Sequence, residues 1–498
     1  MSYTLGIDIG TYETKGVLVD HEGRVVAQAA RGHKMLVPQP GWAEHRPEED
    51  WWEDFVHVCK ALLSESDVDP QNIKAVGCSA IGPCMLPVDD EGAPLMNAVL
   101  YGVDGRAEVE VRDLTDRIGE DVLVKRCGNA LTSQSVGPKI LWLKRQRPDI
   151  YRKTAQIFTS TSFLVRRLTD QNVIDHYTAA NFTPLYDIAA QNWTDDLADD
   201  IIDLEKLPHL MWSDEIAGHI TAQAAQATGL AEGTPVTAGT IDAAAEALSV
   251  GVDQPGDMMM MYGSTIFMIL RTAQHVSDAR LWSAPWLFRG EFAAMAGLAT
   301  SGTLTHWFRD QIARDLDAAE AFPLLAAEAG ASKPGANGLL FLPYFSGERT
   351  PIHDTHAKGA VFGLNLTHTR GDMYRAVIEG IAYGTRHVTE TFADLGQQAT
   401  RLLAVGGGTK NTLWLQSTSD VTGIDQTVCQ VTTGASYGDA FLAALAIGAV
   451  QRSDLSQWNP AVQDVHAAHY PIYDKQYALF RKLYEQTKDI AAELSAPA

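Results

Sequence analysis

GIDIGTYETKGVLVD, residues 6–20, is a short apolar strand that ends in a carboxylate, Asp8. It turns through Gly10, Thr11, Tyr12, Glu13, Thr14 and Lys15, then resumes as a second apolar strand. Strands are ordinarily depleted of Asp, so Asp8 needs a reason. A hairpin bent at Gly10 exposes backbone N–H groups, and Thr11, Thr14 and Lys15 add hydroxyls and a cation to the same small region. Such groups hold phosphate oxygens. A carboxylate aimed at the same spot repels phosphate unless a cation stands between them, and magnesium is commonly held by one or two carboxylates together with its substrate's phosphates. The plainer role for Asp8 and Thr11 is to satisfy the turn backbone. The stretch is neither a Walker A nor a Rossmann fingerprint.

Beyond this hairpin, RVVAQAA after the turn HEGR (21–24) completes an antiparallel meander of three strands. EEDWWEDFVHVCKALLSES (48–66) has helical spacing, with Trp51 and Trp52 read as core, and IKAVGCSA (73–80) reads as a strand returning beside the others. The alternation continues to TPVTAGTIDAAAEALSVG (234–251), a strand that turns into a helix, so the class is α/β. After Pro255 the order starts again. DMMMMYGSTIFMILRT (257–272) is strand, tight turn of Gly263, Ser264 and Thr265, and strand, followed by EFAAMAGL (291–298). This reads as a duplicated half with the boundary near residues 250–256, the alternative being two ordinary hairpins.

The 498 residues carry a formal net charge of -23, which argues against a nucleic-acid footprint, since neutralising phosphates needs clustered Lys and Arg. A nucleotide is not excluded, because backbone N–H groups, a local Lys or a metal can hold one. The five cysteines are odd in number and form no C-x-x-C pair, so reduced thiols and a cytoplasmic address are expected. No apolar run approaches the ~18 residues that would span a bilayer, and no basic segment precedes the first apolar run, so neither a membrane nor a secretory signal is expected. AFLAALAIGAV (440–450) reads as a buried helix.

Two further stretches carry chemistry. In LLAVGGGTKNTLWLQSTSDVTG (402–423) a strand ends at Gly406, Gly407 and Gly408, where bare backbone suits an adenine or ribose, and Asn411 is placed to cap the following helix. In GTIDAAAEALSVG, Asp242 stands where a strand becomes an alanine-rich helix. It is either a helix cap or a general base that takes a proton from a hydroxyl attacking a phosphoryl group. A helix N-terminus favours the ionised carboxylate, so Asp242 is expected to be ready at neutral pH.

The series GIDIGT, VDGRAE, KILWLK, GTPVTAGTIDAAAEALSVG, YGST, FLPYFSGERTPIHD, GAVFGLNLTHTRGDMYRAVIEG and VGGGTKN resembles, in this order, the FGGY carbohydrate kinases over residues 4 to 450. Gly363, Leu364, Asp372, Ala376 and Glu379 fit the family's C-terminal signature. The resemblance implies two actin-like (ribonuclease H-like) domains, 1–250 and 251–498, with an interdomain cleft for ATP and sugar. The first domain would carry the sugar site and base, the second the nucleotide site. The implied reaction is Mg²⁺-dependent phosphorylation of a sugar or polyol hydroxyl. Asp8 would face the metal-bound nucleotide, with Thr11, Thr14 and Lys15 on its phosphates, and Asp242 matches the family's base. Gly263, Ser264 and Thr265 form the second phosphate hairpin. Gly302 and His306 lie in a stretch near the nucleotide, and Gly407, Gly408 and Asn411 match the adenosine motif. Asp104 and Arg106 match the sugar-holding acid and its neighbouring base. Glu348 and Arg349 are expected to brace the domain by local ion pairing.

The departures fall where substrate is read. After the strand 73–80, where xylulose kinases usually show Gln-Met-His-Gly and glycerol kinases Gln-Arg-Glu-Thr, this chain has Ile81, Gly82, Pro83 and Cys84, with Gly82 as the substrate-facing position. None of these side chains makes a strong hydrogen bond to a polyol, and discrimination of a hydroxyl depends on buried polar partners. Gly102 and Val103 replace an aromatic and a polar residue before Asp104, and Val136 replaces the usual Pro, Ser or Thr three residues before Lys139. The expected substrate is a ketose, above all a pentulose such as xylulose, phosphorylated at a primary hydroxyl. Ribulose, fuculose or a polyol such as erythritol is the alternative, and glycerol is disfavoured. A non-catalytic actin-like nucleotide switch and a hydrolase on the same fold are the competing classes. The assembly is left open, a homodimer among the options.

Overall fold

A computed structural model describes residues 2–495. The chain divides into two compact units. One comprises the chain up to Asp253 together with Gln274–Ala294 and Thr433–Pro460, and the other Gln254–Ala273, Met295–Thr432 and the chain from Ala461 onward. Residues 433–460 thus fold with the first unit although they lie far beyond residue 251.

The sheet of the first unit contains β1 (Tyr3–Ile9), β2 (Glu13–Asp20), β3 (Val25–Gly32), β4 (Ile73–Ala80), β5 (Ile216–His219), β6 (Pro235–Thr237) and β7 (Thr240–Ile241), ordered β5-β6-β4-β1-β2-β3 with β7 also paired to β4. The meander β1–β3 is antiparallel, while β4 runs parallel to β1, and β6 and β7 parallel to β4. Most residues of β1 and β4 are apolar and buried, as expected of strands covered on both faces.

The cover comes from two helices. Glu53–Ser66 lays Phe55, Val58 and Leu62 against the face that carries Ile7 and Gly16. It is preceded by a wider π-type turn, Pro47–Trp52, so the helix expected over 48–66 starts later, and Trp51 and Trp52 are core as expected. Helix Ala435–Ala446 covers the opposite face, buried almost throughout.

The register of β1 and β4 explains that second contact. Gly6 pairs with Gly77 and Asp8 with Ser79, so period-2 alternation puts two adjacent glycines and then two polar side chains on one face. A Cβ on Gly6 would stand 1.9 Å from the Ser436 carbonyl oxygen, and one on Gly77 2.2 Å from that of Asp439. Bare backbone is what lets the helix lie on the sheet.

The second sheet contains β8 (Asp257–Tyr262), β9 (Ile266–Thr272), β10 (Phe292–Leu298), β11 (Arg401–Val405), β12 (Gln426–Cys429) and β13 (Ala461–Val465) in the order β10-β9-β8-β11-β12-β13, with the short strand Trp282–Pro285 beside β10 at its edge. The hairpin β8–β9 is antiparallel, β11 is parallel to β8, β12 parallel to β11 and β13 antiparallel to β12. The strands β10-β9-β8-β11-β12 correspond in order to β3-β2-β1-β4-β6, while the edge strands differ, since β5 precedes β6 in the chain and β13 follows β12. The helices Arg370–Asp394, opened by a Thr369/Asp372 capping box, and Pro471–Ser495 are joined through buried Arg375, Glu379 and Tyr473.

The five cysteines are buried and lie outside any disulfide. Among the described residues no helix is long and apolar enough to cross a membrane.

Gly77→Ala is expected to destabilise the protein by about 3 kcal/mol or more, because backbone rather than a movable side chain meets the new methyl. Gly330→Ala, on a helix with open space around the site, should be neutral or gain up to about 1 kcal/mol. Equilibrium denaturation of the two variants checks the contrast.

Candidate active site and nucleotide cavity

The hairpin between β1 and β2 closes with the Gly10 amide donating to the Glu13 carbonyl at 2.9 Å. Two imidazoles that sequence reasoning missed hold its outer carbonyls, His33 Nε2 on Gly10 at 3.0 Å and His45 Nε2 on Thr11 at 3.1 Å. The Trp51 indole donates to His45 Nδ1 at 3.0 Å, which leaves His45 neutral with its proton on Nε2. Burial agrees, pushing the His45 pKa down to about 4. Thr14 is buried and its hydroxyl donates to Asp54 at 3.3 Å, so that hydroxyl is committed within the fold. Thr11 and Lys15 remain at the surface of the turn, Lys15 loosely paired with Glu13 at 3.4 Å.

Below this turn Asp8 and Asp439 share one hydroxyl, and Asp242 and Glu246 lie near enough to feel the Asp8 charge. Ser79 Oγ lies 3.1 Å from Asp8 Oδ1 and 2.7 Å from Asp439 Oδ2, one hydroxyl serving two acids. Asp242 is the first residue of helix Asp242–Ser249, and Glu246 follows on the same helix face four residues on. Asp439 is fully buried, and its Oδ1 has no hydrogen-bond partner. Asp439 and Glu246 were not singled out from the sequence; an Asp inside the otherwise apolar ASYGDAFLAALA is the signal that was available for the first.

Desolvation pushes all four upward, and the Asp8 charge adds to it at Asp242, Asp439 and Glu246. Asp8 rises to about 6 through burial, against the Ser79 hydrogen bond and Lys15. Glu246 rises to about 7 through burial and the Asp8 charge. Burial first, then Asp8, holds Asp242 and Asp439 well above the ordinary carboxylate range. Burial and the Asp8 charge thus work against the helix N-terminus, which favours the ionised form of Asp242. Its only helix-start help is the Ala243 amide at 2.7 Å, which is outweighed by lost hydration and a like charge. A set of hard oxygen atoms short of positive charge, one of them buried without a partner, fits a divalent cation.

The second hairpin and the glycine-rich turn meet in the other unit. Gly263, Ser264, Gly302, His306, Gly407, Gly408 and Asn411 all line one cavity of about 1040 Å³, a size that accepts a nucleotide. The Gly263 carbonyl accepts the Gly302 amide at 3.0 Å and the Ser264 carbonyl accepts the Thr303 hydroxyl at 2.8 Å, docking the turn on the start of helix Gly302–Ile312. Thr265 is not part of the lining. Asn411 caps helix Thr412–Thr422 by accepting the Trp414 amide at 3.2 Å, as expected. Tyr262 and Trp414 meet edge to face beside Gly408, and Phe322 and Tyr374 supply further ring surface.

Asp104 and Arg106 form a buried pair. Arg106 donates through Nη2 to Asp104 at 2.7 Å and to Glu44 at 2.9 Å, stacks 3.9 Å over Trp42, and the Ala43 amide adds a bond to Asp104 at 2.7 Å. Asp104 and Gly102 border a separate cavity of about 300 Å³ with Ser133 and Lys139, whose ammonium burial lowers to about 8. These residues are not in the carboxylate cluster; the buried Cys84 thiol feels both Lys139 and Asp242. Gly82 packs against Ile241, the residue before Asp242. Glu348 is held by the amides of Ala299 and Arg349, both at 2.7 Å, so backbone donors rather than the expected ion pair brace it.

The models of the FGGY family of carbohydrate kinases match residues 3–249 with the N-terminal domain and 258–447 with the C-terminal domain. The chain belongs to this family. It is a carbohydrate kinase, a phosphotransferase acting on a sugar with ATP as co-substrate. Among similar proteins, the xylulose kinase of Bacillus subtilis is 28% identical over 100% of this chain and 99% of its own length. Glycerol kinase 2 of Thermotoga maritima is 27% identical over 90% of each. The crystal structure of xylulose kinase from Rhodospirillum rubrum superposes with a TM-score of 0.91 at 30% identity, covering 98% of this chain and 99% of that one. The two-unit α/β architecture of the kinase is the actin-like, ribonuclease H-like fold of these structures.

The clustered acids give a pH test. Their folded pKa values lie above the unfolded ones, so the folded state binds more protons and stability is lost as pH rises from about 4 through the raised values of about 6 and 7. In chelator and without nucleotide, Asp439→Asn should therefore raise the thermal midpoint at about pH 8 and change it little at about pH 5. Calorimetry at both pH values checks it; an equal gap at both contradicts the reading.

Proposed function

We propose that this kinase transfers the γ-phosphoryl group of ATP to a primary hydroxyl of a ketose, a pentulose such as xylulose, with Asp242 as the general base. The observation that carries the assignment is the state of Asp242: it stands beside Asp8, its carboxylate accepts from Ala243, and it has no ion-pair partner among the described residues. An acid without a structural partner is free to exchange a proton. The xylulose kinase relatives, at 28% and 30% identity, support a ketose; the glycerol kinase relative at 27% keeps a polyol as the alternative.

In this reading Asp242 removes the proton as the hydroxyl oxygen attacks the γ-phosphorus and ADP leaves, a step in which positioning and charge stabilisation do most of the work. Lys15 and the exposed amides and hydroxyl near Thr11 are the phosphate-binding groups of the first unit, and Gly263 and Ser264, on the wall of the large cavity, are those of the second. Tyr262, Trp414 and the glycines at 407 and 408 leave a flat space for adenosine, with His306 and Gly302 alongside. Asp8 would hold Mg²⁺, with Asp439 behind it through Ser79. When bound, that ion supplies positive charge that offsets the crowded acids and the phosphates. The 300 Å³ cavity at Gly102 and Lys139 is the proposed sugar end, with Asp104 fixed there by Arg106 and Gly82 at its approach to Asp242. Five buried thiols without disulfides fit a cytoplasmic address.

An ADP-release screen over ketoses, aldoses and polyols, with the product identified by mass and NMR, tests the substrate; a pentulose should give the highest kcat/KM. Asp242→Asn should lower kcat by about 10²- to 10⁴-fold with nucleotide binding retained. Near wild-type turnover in that variant would end the assignment of the base.

A further inference from the structure

Asp175 has no place in the chemistry above, yet it is a fully buried carboxylate at the end of strand Val173–Asp175. A single oxygen, Oδ2, accepts three hydrogen bonds: from the Thr240 hydroxyl at 2.8 Å, the Ser213 hydroxyl at 3.2 Å and the Thr178 amide at 3.3 Å. Thr240 is two residues before Asp242. Its carbonyl is held from the other side by the Thr161 hydroxyl at 2.9 Å, and its backbone runs in register beside Ser79, the residue that joins Asp8 to Asp439.

Helix Asp242–Ser249 has no side-chain cap at Ile241. Asp242 follows directly on β7 (Thr240–Ile241), so where that strand is held bears on the place of Asp242. A carboxylate needed only to cap the four-residue helix His176–Ala179 would use the Thr178 amide. Here the longest of the three bonds is the cap, and the shortest goes to Thr240. Burial raises Asp175 to about 6 while these donors pull it back, so the group keeps a costly location for the sake of its hydroxyl partners.

We propose that Asp175, acting through the Thr240 hydroxyl, is the positioning residue that sets where the Asp242 carboxylate stands. The proposal rests on Asp242 as the base and adds the device that aims it. A misplacement of about 1 Å at a reacting group costs on the order of 10²-fold in rate.

Thr240→Val keeps the size of the side chain and removes only the donor. Kinetics on the best substrate of the screen should show kcat lowered about 10- to 100-fold, with KM for sugar and for ATP within about threefold. Asp175→Ala should fall as far or further, and Asp175→Asn should recover most of that loss, because an amide oxygen accepts the same three bonds. In an Asp242→Asn background, Thr240→Val should add no further loss. Wild-type kcat in Thr240→Val, or Asp175→Asn no better than Asp175→Ala, overturns the positioning role. If Asp175→Ala does not fold, Thr240→Val alone decides. Asp242→Asn separates the two readings: full turnover there ends the base assignment, whereas loss there beside an unimpaired Thr240→Val ends the positioning role alone.

Discussion

Helix Ala435–Ala446 rests on bare backbone at Gly6 and Gly77, and the site depends on that contact. With side chains at either position the helix could not lie on the sheet. Because it does, Asp439 arrives under Ser79, across from Asp8, although it is 360 residues away from Ser79 in the chain. The same register that pairs the two glycines pairs Asp8 with Ser79. One packing fact thus supplies both a tight core and a concentration of acid.

That concentration is unfavourable in the protein alone. Buried like charges raise one another, and Lys15 is the cation that opposes them at Asp8. Proteins keep such arrangements where a ligand or ion completes them. Positive charge arriving beside these acids lowers their pKa values, so a bound cation favours the ionised form of Asp242.

The two halves use the same order of five strands for different ends. In the first unit the hairpin carbonyls are pinned by His33 and His45 against the Trp51 cluster, which leaves its outer face to Thr11 and Lys15. In the second unit the equivalent hairpin is docked on the start of helix Gly302–Ile312, and its side opens on the large cavity. A strand-turn-strand of identical sheet position therefore presents cationic and hydroxyl groups in one case and a roomy, partly aromatic wall in the other.

The chain order of apolar strands and glycine turns was enough to read the α/β class, both hairpins, the repeat and the place of Asp8, Asp242 and the Asn411 cap, because these are local patterns of period, turn chemistry and helix capping. Family resemblance added the kinase. Left to tertiary structure were the inward commitment of Thr14 to Asp54, the two imidazoles under the first turn, and the braces on Asp104 and Glu348. The arrival of Asp439 and the protonated tendency of Asp242 were decided there too. Each depends on which groups from distant segments share a desolvated volume, and neither hydrogen-bond competition nor the loss of water around a charge is written in local spacing.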